Sequence, residues 1–476
     1  MDDLSDDANE QTDLVAIILA AGMGTRMRSR LPKVLHHVAG DPIISHVLDA
    51  VAGAGIVRPL VVVGHGGDRV IAALGDSAQY VVQDPQLGTG HAVQRAVEAL
   101  RPAPRRLLVL CGDAPLLTPS TISRLLDASS GATVTLLSAH LDDPSGYGRV
   151  VRDAGGRVAA IVEDADARGA DRSLREVNSG AYCFDGGWVA SNLGRLQKSP
   201  KGEYYLTDLV AMAVAQGREV RALVAEDATE VLGVNDRAQL AEADRLMRLR
   251  LCHRLMADGV TIVDPATTYV GKDVSVGADT ILHPGTHLRG ATTIGDRCEI
   301  GPNSVVVDST IGDECVVLAS VLEQCQVADR VSIGPFSHLR PGARIGSDAR
   351  IGNYAEVKNS VIGQGVQVHH FSYLGDAEVG DDTNVGAGTI TCNFDGRAKH
   401  RTRIGKGVFL GSDTLLRAPV ELGDEARTGA GAVVTRNVPP RKLAVGMPAR
   451  VREIRAEAES ADTNVGQQGG REEVGS

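Results

Sequence analysis

A glycine-rich turn near the start of the chain carries residues that suit a phosphate group. The segment from Leu19 to Met27 follows an apolar strand, so its backbone N–H groups can surround an anion, and Arg26 adds positive charge. Lys33 supplies an ammonium group, a point charge that suits the phosphates of a nucleotide. The turn matches neither the G-x-G-x-x-G pattern nor the P-loop, and a glycine turn after a strand is often a plain connection.

Asp113 follows the very apolar strand that contains Leu107 to Leu110. A carboxylate at the end of a sheet strand is a natural ligand for magnesium, which binds one or two carboxylates together with phosphate oxygens and water. The alternative is an aspartate that caps a helix or a turn ahead of Pro115. We favour the magnesium ligand over this capping role.

Two adjacent histidines, His369 and His370, interrupt the aliphatic pattern of the second half of the chain. Adjacent residues of a strand face opposite sides, so we expect only one of them to point into a given cleft. A histidine in this setting is commonly a surface or stacking residue. Arg340 and Lys358 precede the pair at earlier repeats, and both are suited to binding a sugar phosphate, which favours a site.

Hexapeptide repeats must hold these second-half residues. Small or aliphatic residues followed by glycine recur mainly every six residues or a multiple of six, beginning with Val270-Gly271 and Val276-Gly277. Six residues are too few for a helical hairpin, so each unit is one short strand and a turn, and three units close one coil. The pattern predicts a β-solenoid. The segment from Thr391 to Thr402 interrupts the count and predicts a loop, which in solenoids often lies on the binding face.

Apolar strands and helical stretches alternate in the first half of the chain. This alternation predicts a doubly wound, Rossmann-like α/β domain that binds ligands at the carboxyl ends of its strands. We place this domain at residues 13–235, a connecting helix at 236–260 and the solenoid at 261–453. The acidic residues 1–12 and the polar residues 454–476 are expected to be disordered tails.

Composition limits the class of partner. The 476 residues carry a formal net charge of −11 and no long basic run, which disfavours nucleic acid because duplex affinity rests on neutralising phosphates. No apolar run approaches the length of a membrane span, and the acidic start lacks the pattern of a signal peptide. We therefore expect a cytoplasmic protein that does not bind membranes.

Several motifs of the first half occur in the order typical of sugar-phosphate nucleotidyltransferases, and the chain resembles that family. After the glycine-rich turn they are Gln83, Gln86-Leu87-Gly88-Thr89-Gly90, Tyr147-Gly148-Arg149, Glu163, Asn178-Ser179-Gly180, Tyr205-Leu206-Thr207-Asp208 and Gly233-Val234-Asn235. Joined to a hexapeptide solenoid, they make the chain similar to the bifunctional N-acetylglucosamine-1-phosphate uridyltransferases and glucosamine-1-phosphate N-acetyltransferases, over about residues 13–450.

The resemblance implies two reactions and a left-handed parallel β-helix. The solenoid would transfer an acetyl group from acetyl-CoA to glucosamine-1-phosphate. The first domain would then use magnesium to transfer uridylyl from UTP to N-acetylglucosamine-1-phosphate, releasing pyrophosphate without a covalent enzyme intermediate. The product would be UDP-N-acetylglucosamine, a precursor of peptidoglycan and the cell envelope. The family also implies a homotrimer with acetyl-transfer sites shared between chains.

The resemblance assigns roles to residues of the first domain. Magnesium would be held by Asp113 and Asn235, and the sugar would be contacted by Gly148, Glu163 and Asn178. The full set of contacts to UTP and the N-acetylated sugar would be Leu19, Ala20, Ala21, Gly22, Arg26, Lys33, Gln83, Gly88, Thr89, Gly148, Glu163, Asn178 and Asn235. Met23 stands where the family often has a basic residue, so we expect one phosphate contact to be weaker.

In the solenoid, His370 matches the general base of the family, which takes a proton from the sugar amine as the amine attacks the thioester. Histidine as a residue type suits this task, because the unperturbed pKa of its side chain is about 6.5. The matching sugar-phosphate contacts are Arg340, Lys358, Tyr373, Asn384, Asn393 and Phe394, and the acetyl-CoA contacts are Ala387, Ser412 and Ala430. Phe394 replaces a tyrosine usual in the family, which predicts sugar binding weaker by about 1 kcal/mol. Met447 stands where the family often has a basic residue for the coenzyme, and Arg450 or Arg452 is a candidate to replace it.

Three other interpretations stay open from the sequence. One keeps the nucleotidyltransferase, changes its substrate to glucose-1-phosphate or mannose-1-phosphate, and makes the solenoid structural or regulatory, although the polar set around His370 argues against it. A second makes the solenoid a zinc-dependent hydratase with His338, His369 and His370 as ligands, although adjacent strand positions converge poorly on one metal. A third treats the solenoid as a binding scaffold without chemistry.

Overall fold

The computed structural model describes residues 13–100 and 102–453, so the two predicted tails, 1–12 and 454–476, lie outside the described residues. The chain forms two compact units. The first contains the residues up to Ala257 together with Asp264–Val274 and Leu288–Gly290, and the second contains the remainder from Asp258 onwards. Among the described residues, no helix is both long enough and apolar enough to cross a membrane.

A mixed β-sheet forms the centre of the first unit. The strands of this unit up to the connecting helix are β1 (Leu14–Ala20), β2 (His37–Val38), β3 (Asp41–Pro42), β4 (Leu60–Val63), β5 (Gln79–Val82), β6 (Arg106–Cys111), β7 (Val134–His140), β8 (Arg149–Arg152), β9 (Val158–Val162), β10 (Glu176–Asp185) and β11 (Val220–Val224). The order across the sheet is β11-β7-β10-β6-β1-β4-β5, with β8 attached to β10 and β9, while β2 and β3 form a separate pair. Strands β1, β4, β5 and β6 are parallel, whereas β10 runs antiparallel to both of its neighbours in this order.

Helices cover both faces of this sheet. They are α1 (Ile43–Gly53), α2 (Gly67–Leu74), α3 (Thr89–Ala99), α4 (Pro119–Ala128), α5 (Gly186–Asn192) and α6 (Asp208–Ala215). Helix α7 (Arg237–Ala257) falls in the segment predicted as a connecting helix, and buried residues of this helix pack in a third cluster with Val38 and Leu116. Neighbouring residues of the central strand pack into different clusters, since Ile18 belongs to one buried cluster and Ile17 to another. A strand buried on both faces explains the continuous apolar runs of the sequence and confirms the doubly wound α/β prediction.

The solenoid is a stack of very short parallel strands. In chain order they are β12 (Thr261–Ile262), β13 (Tyr269–Val270), β14 (Ser275–Val276), β15 (Ile281–Leu282), β16 (His287–Arg289), β17 (Thr293–Ile294), β18 (Glu299–Ile300), β19 (Val305–Val307), β20 (Thr310–Ile311), β21 (Val316–Val317), β22 (Val321–Glu323), β23 (Gln326–Val327), β24 (Ser332–Ile333), β25 (His338–Leu339), β26 (Arg344–Ile345), β27 (Arg350–Asn353), β28 (Glu356–Lys358), β29 (Val361–Ile362), β30 (Gln367–His370), β31 (Tyr373–Gly375), β32 (Ala377–Val379), β33 (Asn384–Val385), β34 (Ile390–Cys392), β35 (Thr402–Ile404), β36 (Phe409–Leu410), β37 (Leu415–Arg417), β38 (Val420–Leu422), β39 (Arg427–Thr428), β40 (Val433–Val434), β41 (Lys442–Val445) and β42 (Arg450–Glu453).

Up to β37, each strand pairs in parallel with the third strand after it, which produces three sheets, and the first sheet ends with β39 paired to β41 and β41 paired antiparallel to β42. The first solenoid sheet runs from β12 through β27, β30, β33, β36 and β39 to β41 and β42, the second from β13 to β40, and the third from β14 to β38. Of the predicted loop Thr391–Thr402, residues 393–401 lie between β34 and β35, while its first two residues belong to β34 and its last to β35. The three-sided coil predicted from the six-residue repeat is therefore confirmed.

Aligned aliphatic side chains fill the thin interior of the coil. Ile333, Ile351, Val368 and Val385 lie in register on four successive strands of the first solenoid sheet, and all four are buried. Full burial of each such side chain contributes roughly 1.5–3 kcal/mol. Because the aliphatic positions must stay aligned, the residues that follow them on each coil are aligned as well, and this alignment organises the second candidate site.

Candidate functional site

The carboxyl ends of four parallel strands meet at one edge of the first unit. In the register of the sheet, Leu19 of β1 is aligned with Cys111 of β6, and Ala20 is aligned with Val63 of β4. The glycine-rich turn follows β1, Gln83 follows β5, and Asp113 lies two residues beyond β6. Residues that are distant in sequence therefore lie along the edge at which doubly wound folds bind ligands.

Lys33 connects two of the predicted site residues. Its Nζ donates to a carboxylate oxygen of Asp113 and, at 3.1 Å, to Oδ1 of Asn235. The side chains of Lys33 and Asp113 are only 14% and 21% exposed, so the pair is largely shielded from water. The backbone N–H of Val234 donates to the carbonyl of Asp113 at 2.8 Å, which joins the two loops. Asp113 and Asn235 thus direct two oxygen atoms at one point, where the ammonium of Lys33 lies.

The turn that precedes Lys33 depends on Gly24. This residue has a φ of +59°, and a Cβ added to it would lie 2.8 Å from the Cβ of Lys33, so a larger residue would push the lysine away. The carbonyl of Met27 accepts a hydrogen bond from Arg237 at 3.3 Å, which holds the end of the turn. Arg26 is exposed on this turn, and its positive charge is therefore accessible to a ligand.

The loop after β5 is fastened to the glycine-rich turn and to the chain around Leu206. The side-chain amide of Gln83, only 4% exposed, donates to the carbonyl of Gly88 at 2.9 Å. The amide of Gln86 donates to the carbonyl of Ala21, and the hydroxyl of Thr89 accepts from the N–H of Leu206 at 3.1 Å. These bonds bring the predicted nucleoside-binding residues of two loops together.

Hydrogen bonds hold each of the three predicted sugar contacts. The backbone N–H of Asn178 donates to the carbonyl of Gly148 at 2.8 Å, and the hydroxyl of Thr207 donates to Oε1 of Glu163, also at 2.8 Å. Burial raises the pKa of Glu163, and the hydrogen bond from Thr207 opposes this shift. The motif around Thr207 was evident in the sequence, but its contact with Glu163 was not predicted, because the two residues are 44 positions apart.

In the second unit, the register of the first solenoid sheet aligns residues from five successive coils. The aligned core residues are Ile351, Val368, Val385, Leu410 and Thr428. Two residues beyond them on each coil lie Asn353, His370, Ala387, Ser412 and Ala430, which we call the corner column. Neighbouring strands are ~4.8 Å apart, so the column extends roughly 14 Å from His370 to Ala430. The predicted base and the predicted acetyl-CoA contacts therefore form one row.

Both adjacent histidines are exposed at the end of β30, with ring centroids 6.0 Å apart. The inward-facing position of this strand is the buried Val368, and of the two histidines only His370 belongs to the corner column. Nδ1 of His370 lies 2.9 Å from Oδ1 of Asn353. An amide oxygen only accepts hydrogen bonds, so Nδ1 is the donor of this pair and Nε2 faces outwards with a lone pair.

A group of positive charges forms around Lys358. The neighbouring ammonium of Lys399, and then the guanidinium of Arg340, lower the pKa of Lys358. Arg340 itself is held by a hydrogen bond of 2.7 Å to Oε1 of Glu356. Lys399 belongs to the loop between β34 and β35, and sequence analysis did not select it. The available indication was a basic residue inside the one segment that interrupts the repeat.

Asn393 and Tyr373 lie next to this group. Asn393 is only 6% exposed, and its Nδ2 donates to Asp376 at 2.6 Å and lies 3.5 Å from the hydroxyl of Tyr373. Phe394, by contrast, is 60% exposed. Asn384 lies on the first solenoid sheet rather than on the second, and within the described part of the chain no side-chain hydrogen bond joins it to this cluster. The predicted sugar contacts Tyr373 and Asn393 are therefore joined by a hydrogen bond without Asn384.

The candidates for a zinc site are separated. His338 lies on the second solenoid sheet, where its Nε2 is 2.9 Å from a carboxylate oxygen of Glu323, whereas His369 and His370 lie on the first. In the described residues no group of three or more His, Cys, Asp or Glu side chains is placed to hold a metal ion. Within the described part of one chain, these three histidines therefore do not assemble a zinc site.

The last hairpin continues the corner column. Strand β41 pairs with β39 so that Gly446 follows Ala430 in the row, and Met447 beside it is 77% exposed. Within the hairpin Arg450 lies directly opposite Val445, whereas Arg452 lies opposite Leu443. Directly opposed residues share one face of an antiparallel pair, so Arg450 is the arginine nearer to the end of the column.

The first unit has a sheet edge suited to a nucleotide, and the second has the corner column on a hexapeptide solenoid. Together they define a two-domain transferase. A family model described as the MobA-like NTP transferase domain matches residues 16–178. Models described as bacterial transferase hexapeptide (six repeats) match residues 273–308 and 324–359, and the hexapeptide repeat of succinyl-transferase matches residues 401–436. These matches confirm a Rossmann-like nucleotidyltransferase domain joined to the left-handed parallel β-helix that hexapeptide repeats form.

Relatives match the chain over most of its length. A bifunctional protein GlmU from Heliobacterium modesticaldum is 48% identical over 433 residues, which cover 90% of this chain and 94% of that protein. The corresponding proteins of Trichlorobacter lovleyi and a Geobacillus species are 50% identical over 442 residues (92% and 96% of the two chains) and 45% identical over 445 residues (93% and 96%). The chain belongs to the family of bifunctional GlmU proteins. It is a bifunctional enzyme with uridyltransferase and acetyltransferase activities that make UDP-N-acetylglucosamine, as its sequence predicts.

Proposed function

We propose that the solenoid first acetylates glucosamine-1-phosphate and that the first unit then transfers uridylyl from UTP to the product, at the residues described above. The observation that carries the proposal is the corner column, which places the imidazole of His370 at one end of a row of small residues. A solenoid that served only as a scaffold has no need of such a row. The product would supply peptidoglycan and other cell-envelope polymers.

The corner column suits acetyl transfer from a long, thin coenzyme. Ala387, Ser412 and Ala430 have small side chains, so the pantetheine arm of acetyl-CoA can lie along them and bring its thioester to His370. Nε2 of His370 then accepts the proton of the sugar amine as the amine nitrogen bonds to the acetyl carbon and the thiolate of coenzyme A leaves. Beyond Ala430, Arg450 is the side chain we assign to the phosphates of the coenzyme.

The cations around Lys358 suit the phosphate of the sugar. Lys358 and Lys399 repel each other, as the lowered pKa of Lys358 indicates, and a phosphate dianion between them would relieve that repulsion. Arg340 is oriented towards the same place by Glu356. Tyr373 and Asn393 lie beside these cations and would bind the sugar hydroxyl groups.

The sheet edge of the first unit suits uridylyl transfer. Arg26 and Lys33 bring two positive charges to the phosphates, while the residues from Leu19 to Gly22, with Gln83, Gly88 and Thr89, would hold the uracil and ribose. On the sugar side, Gly148, Glu163 and Asn178 would bind N-acetylglucosamine-1-phosphate. The phosphate oxygen of this sugar would attack the α-phosphorus of UTP in line, and pyrophosphate would leave.

Asp113 and Asn235 fit a magnesium ion by the chemistry of their donors. They direct one carboxylate oxygen and one neutral amide oxygen at a single point that accommodates the ammonium of Lys33, and magnesium prefers such oxygen ligands together with phosphate oxygens. When bound there, magnesium would neutralise charge on the phosphates of UTP.

We further propose that the solenoid works as a homotrimer. Phe336, Tyr354 and Phe371 are 58%, 60% and 58% exposed at one corner of three successive coils, and the first two rings stack at 5.3 Å. Exposed aromatic side chains in a chain with only 3% aromatic residues favour a surface that a second copy covers.

Because UTP and acetyl-CoA are cytoplasmic metabolites, we place both reactions in the cytoplasm.

Mass spectrometry of two reactions tests the proposal. The first contains glucosamine-1-phosphate, acetyl-CoA, UTP and magnesium, and the second contains N-acetylglucosamine-1-phosphate, UTP and magnesium without acetyl-CoA. UDP-N-acetylglucosamine in both supports two working sites in the proposed order. Product only in the second reaction would indicate a uridyltransferase whose solenoid has no acetyltransferase activity. Product in neither reaction would indicate that the substrate is a different sugar phosphate.

A further inference from the structure

We propose that Asn353 is a positioning residue for acetyl transfer, which holds the imidazole of His370 in the tautomer that leaves Nε2 as the proton acceptor. The inference rests on the proposed role of His370 as the general base. The sequence patterns predicted no role for Asn353. With this role, the first residue of the corner column takes part in acetyl transfer as well as in the structure.

Two hydrogen bonds join Asn353 to His370 and to the residue that follows it. Its side-chain Oδ1 lies 2.9 Å from Nδ1 of His370, and its backbone carbonyl accepts from the N–H of Phe371, also at 2.9 Å. Strands β27 and β30 are parallel with Asn353 and His370 directly in register. The amide therefore reaches the imidazole from a backbone position that the ladder of the β-helix itself maintains.

A close approach of the two backbones supports this arrangement. A Cβ added to Gly352 would lie 2.1 Å from the carbonyl oxygen of His369, a distance that no side chain tolerates. The two strands can therefore come together at this corner only because the residue before Asn353 is glycine. Backbone atoms on both sides fix where the amide and the imidazole meet.

The chemistry of the contact selects one tautomer. Oδ1 of an amide has no proton, so the contact is a hydrogen bond only when Nδ1 of His370 carries the hydrogen. The proton acceptor is then Nε2, on the outer side of the ring. A neutral amide achieves this without adding a negative charge next to the base.

Few titratable residues belong to β30 and the two strands that pair with it, since β33 (Asn384–Val385) carries none. On its own strand the nearest titratable group is the ring of His369, whose centroid is 6.0 Å away, and Arg350 lies three residues before Asn353 on the adjoining strand β27. In the part of the chain that the structure describes, no carboxylate forms an ion pair with His370. Asn353 is thus the one neighbour in that part of the chain with a side-chain hydrogen bond to this imidazole.

Three variants of the full-length protein test the inference: Asn353→Ala, Asn353→Asp and, as a matched polar truncation on an exposed strand position elsewhere in the solenoid, Gln326→Ala. The kcat and KM of acetyl transfer are measured over a range of pH, and uridylyl transfer by the same preparation reports whether the chain has folded. Sedimentation shows whether the oligomer is unchanged.

We expect Asn353→Ala to lower the kcat of acetyl transfer by roughly 10-fold with little change in KM, because the ring loses its preferred tautomer. Asn353→Asp should keep most of the maximal kcat but move the acid limb of the profile to higher pH by about one unit, because a carboxylate stabilises the protonated imidazole. Gln326→Ala should match the wild type in both reactions.

Wild-type kcat and an unmoved acid limb in both Asn353 variants would overturn the inference. A rise in KM alone, or a parallel loss of uridylyl transfer, would also contradict it, since either result assigns Asn353 a structural role. If the wild-type protein itself transfers no acetyl group, the proposed function fails, and this outcome is distinct from unchanged Asn353 variants of an active enzyme.

Discussion

The two candidate sites are built in opposite ways. At the sheet edge of the first unit, polar side chains bind one another: Lys33 bonds to Asp113 and Asn235, and its side chain is only 14% exposed. Along the corner column of the second unit, His370 and Ser412 are exposed and stand in a row on the surface. One site is gathered into a shielded group, and the other is spread along a line.

The difference follows from the two architectures. A doubly wound sheet collects loops from several strands at one edge, so side chains from distant parts of the chain face each other and satisfy one another. A solenoid stacks equivalent positions of successive coils, so its residues line a surface, and a ligand or a second copy must cover them. The residues of each site also belong to one unit, which makes the two activities separable by mutation.

The largest expected effect comes from Asp113→Ala. The change removes the proposed magnesium ligand and the main partner of Lys33, so uridylyl transfer should fall by roughly 10³-fold, since charge neutralisation by a bound metal contributes several kcal/mol. Pyrophosphate release measures this loss. Acetyl transfer should stay at the wild-type rate, and Asp76→Ala, at an exposed position of the same unit, serves as the control. Equal loss of both activities would indicate damage to folding, and it would contradict the inference that the two activities can be separated by mutation.

His370→Ala should produce the converse result. Loss of the general base should lower acetyl transfer on the order of 10²-fold, measured as release of the coenzyme A thiol, and leave uridylyl transfer intact. His369→Ala is a matched control, because this neighbouring histidine is also exposed but lies outside the corner column. If His369→Ala proved the more damaging change, the column would not be the acetyl-transfer site.

Lys399→Ala tests the cation group around Lys358. Removing one of the proposed phosphate contacts should raise the KM for glucosamine-1-phosphate about 10-fold, because a hydrogen bond to a charged group is worth roughly 1.5–3 kcal/mol. Lys399 lowers the pKa of Lys358, so in the wild type Lys358 loses its charge at a lower pH than an isolated lysine. In the variant, the alkaline loss of sugar binding should therefore move to higher pH.

Lys406→Ala is the control for that experiment, since Lys406 is an exposed lysine of the solenoid paired with Asp381 at 2.8 Å. It should leave both KM and the alkaline limb unchanged. An unmoved alkaline limb in Lys399→Ala would show that the two lysines do not act on the same phosphate.

The smallest expected effect distinguishes the two arginines of the last hairpin. Arg450→Ala should raise the KM for acetyl-CoA about 3-fold, a modest change because an exposed charge contributes roughly 0.2–1 kcal/mol. Arg452→Ala, two residues further along the strand, should have no effect. The reverse result would place the coenzyme phosphates nearer to Leu443 than to the end of the corner column.

Much of the fold was evident from local patterns. The alternation of apolar strands and helices predicted the doubly wound sheet, and the six-residue repeat predicted the solenoid. Each pattern could do so because the spacing of apolar residues within a short segment indicates which face of that segment is buried. The antiparallel β10 in the middle of the first sheet was not predicted, since strand direction depends on which strands become neighbours.

Contacts between distant residues were beyond these patterns. The hydrogen bond between Lys33 and Asn235 joins positions 202 residues apart, and that between Thr207 and Glu163 joins positions 44 apart. Lys399 gained a role only because its loop brings it beside Lys358. Asn353 gained one because it lies in register with His370, which no feature of its own segment indicates.

By itself, then, the sequence determined the two architectures, the family, and the chemical types of the main site residues. The tertiary structure decided which of them meet. The corner column shows the physical reason: its members His370, Ala387, Ser412 and Ala430 are unevenly spaced along the chain, because the loop between β34 and β35 lengthens one coil. Hydrogen bonds between stacked strands align the buried aliphatic residues, and the loop lies outside this ladder of strands. Only this stacking brings the four positions into one row.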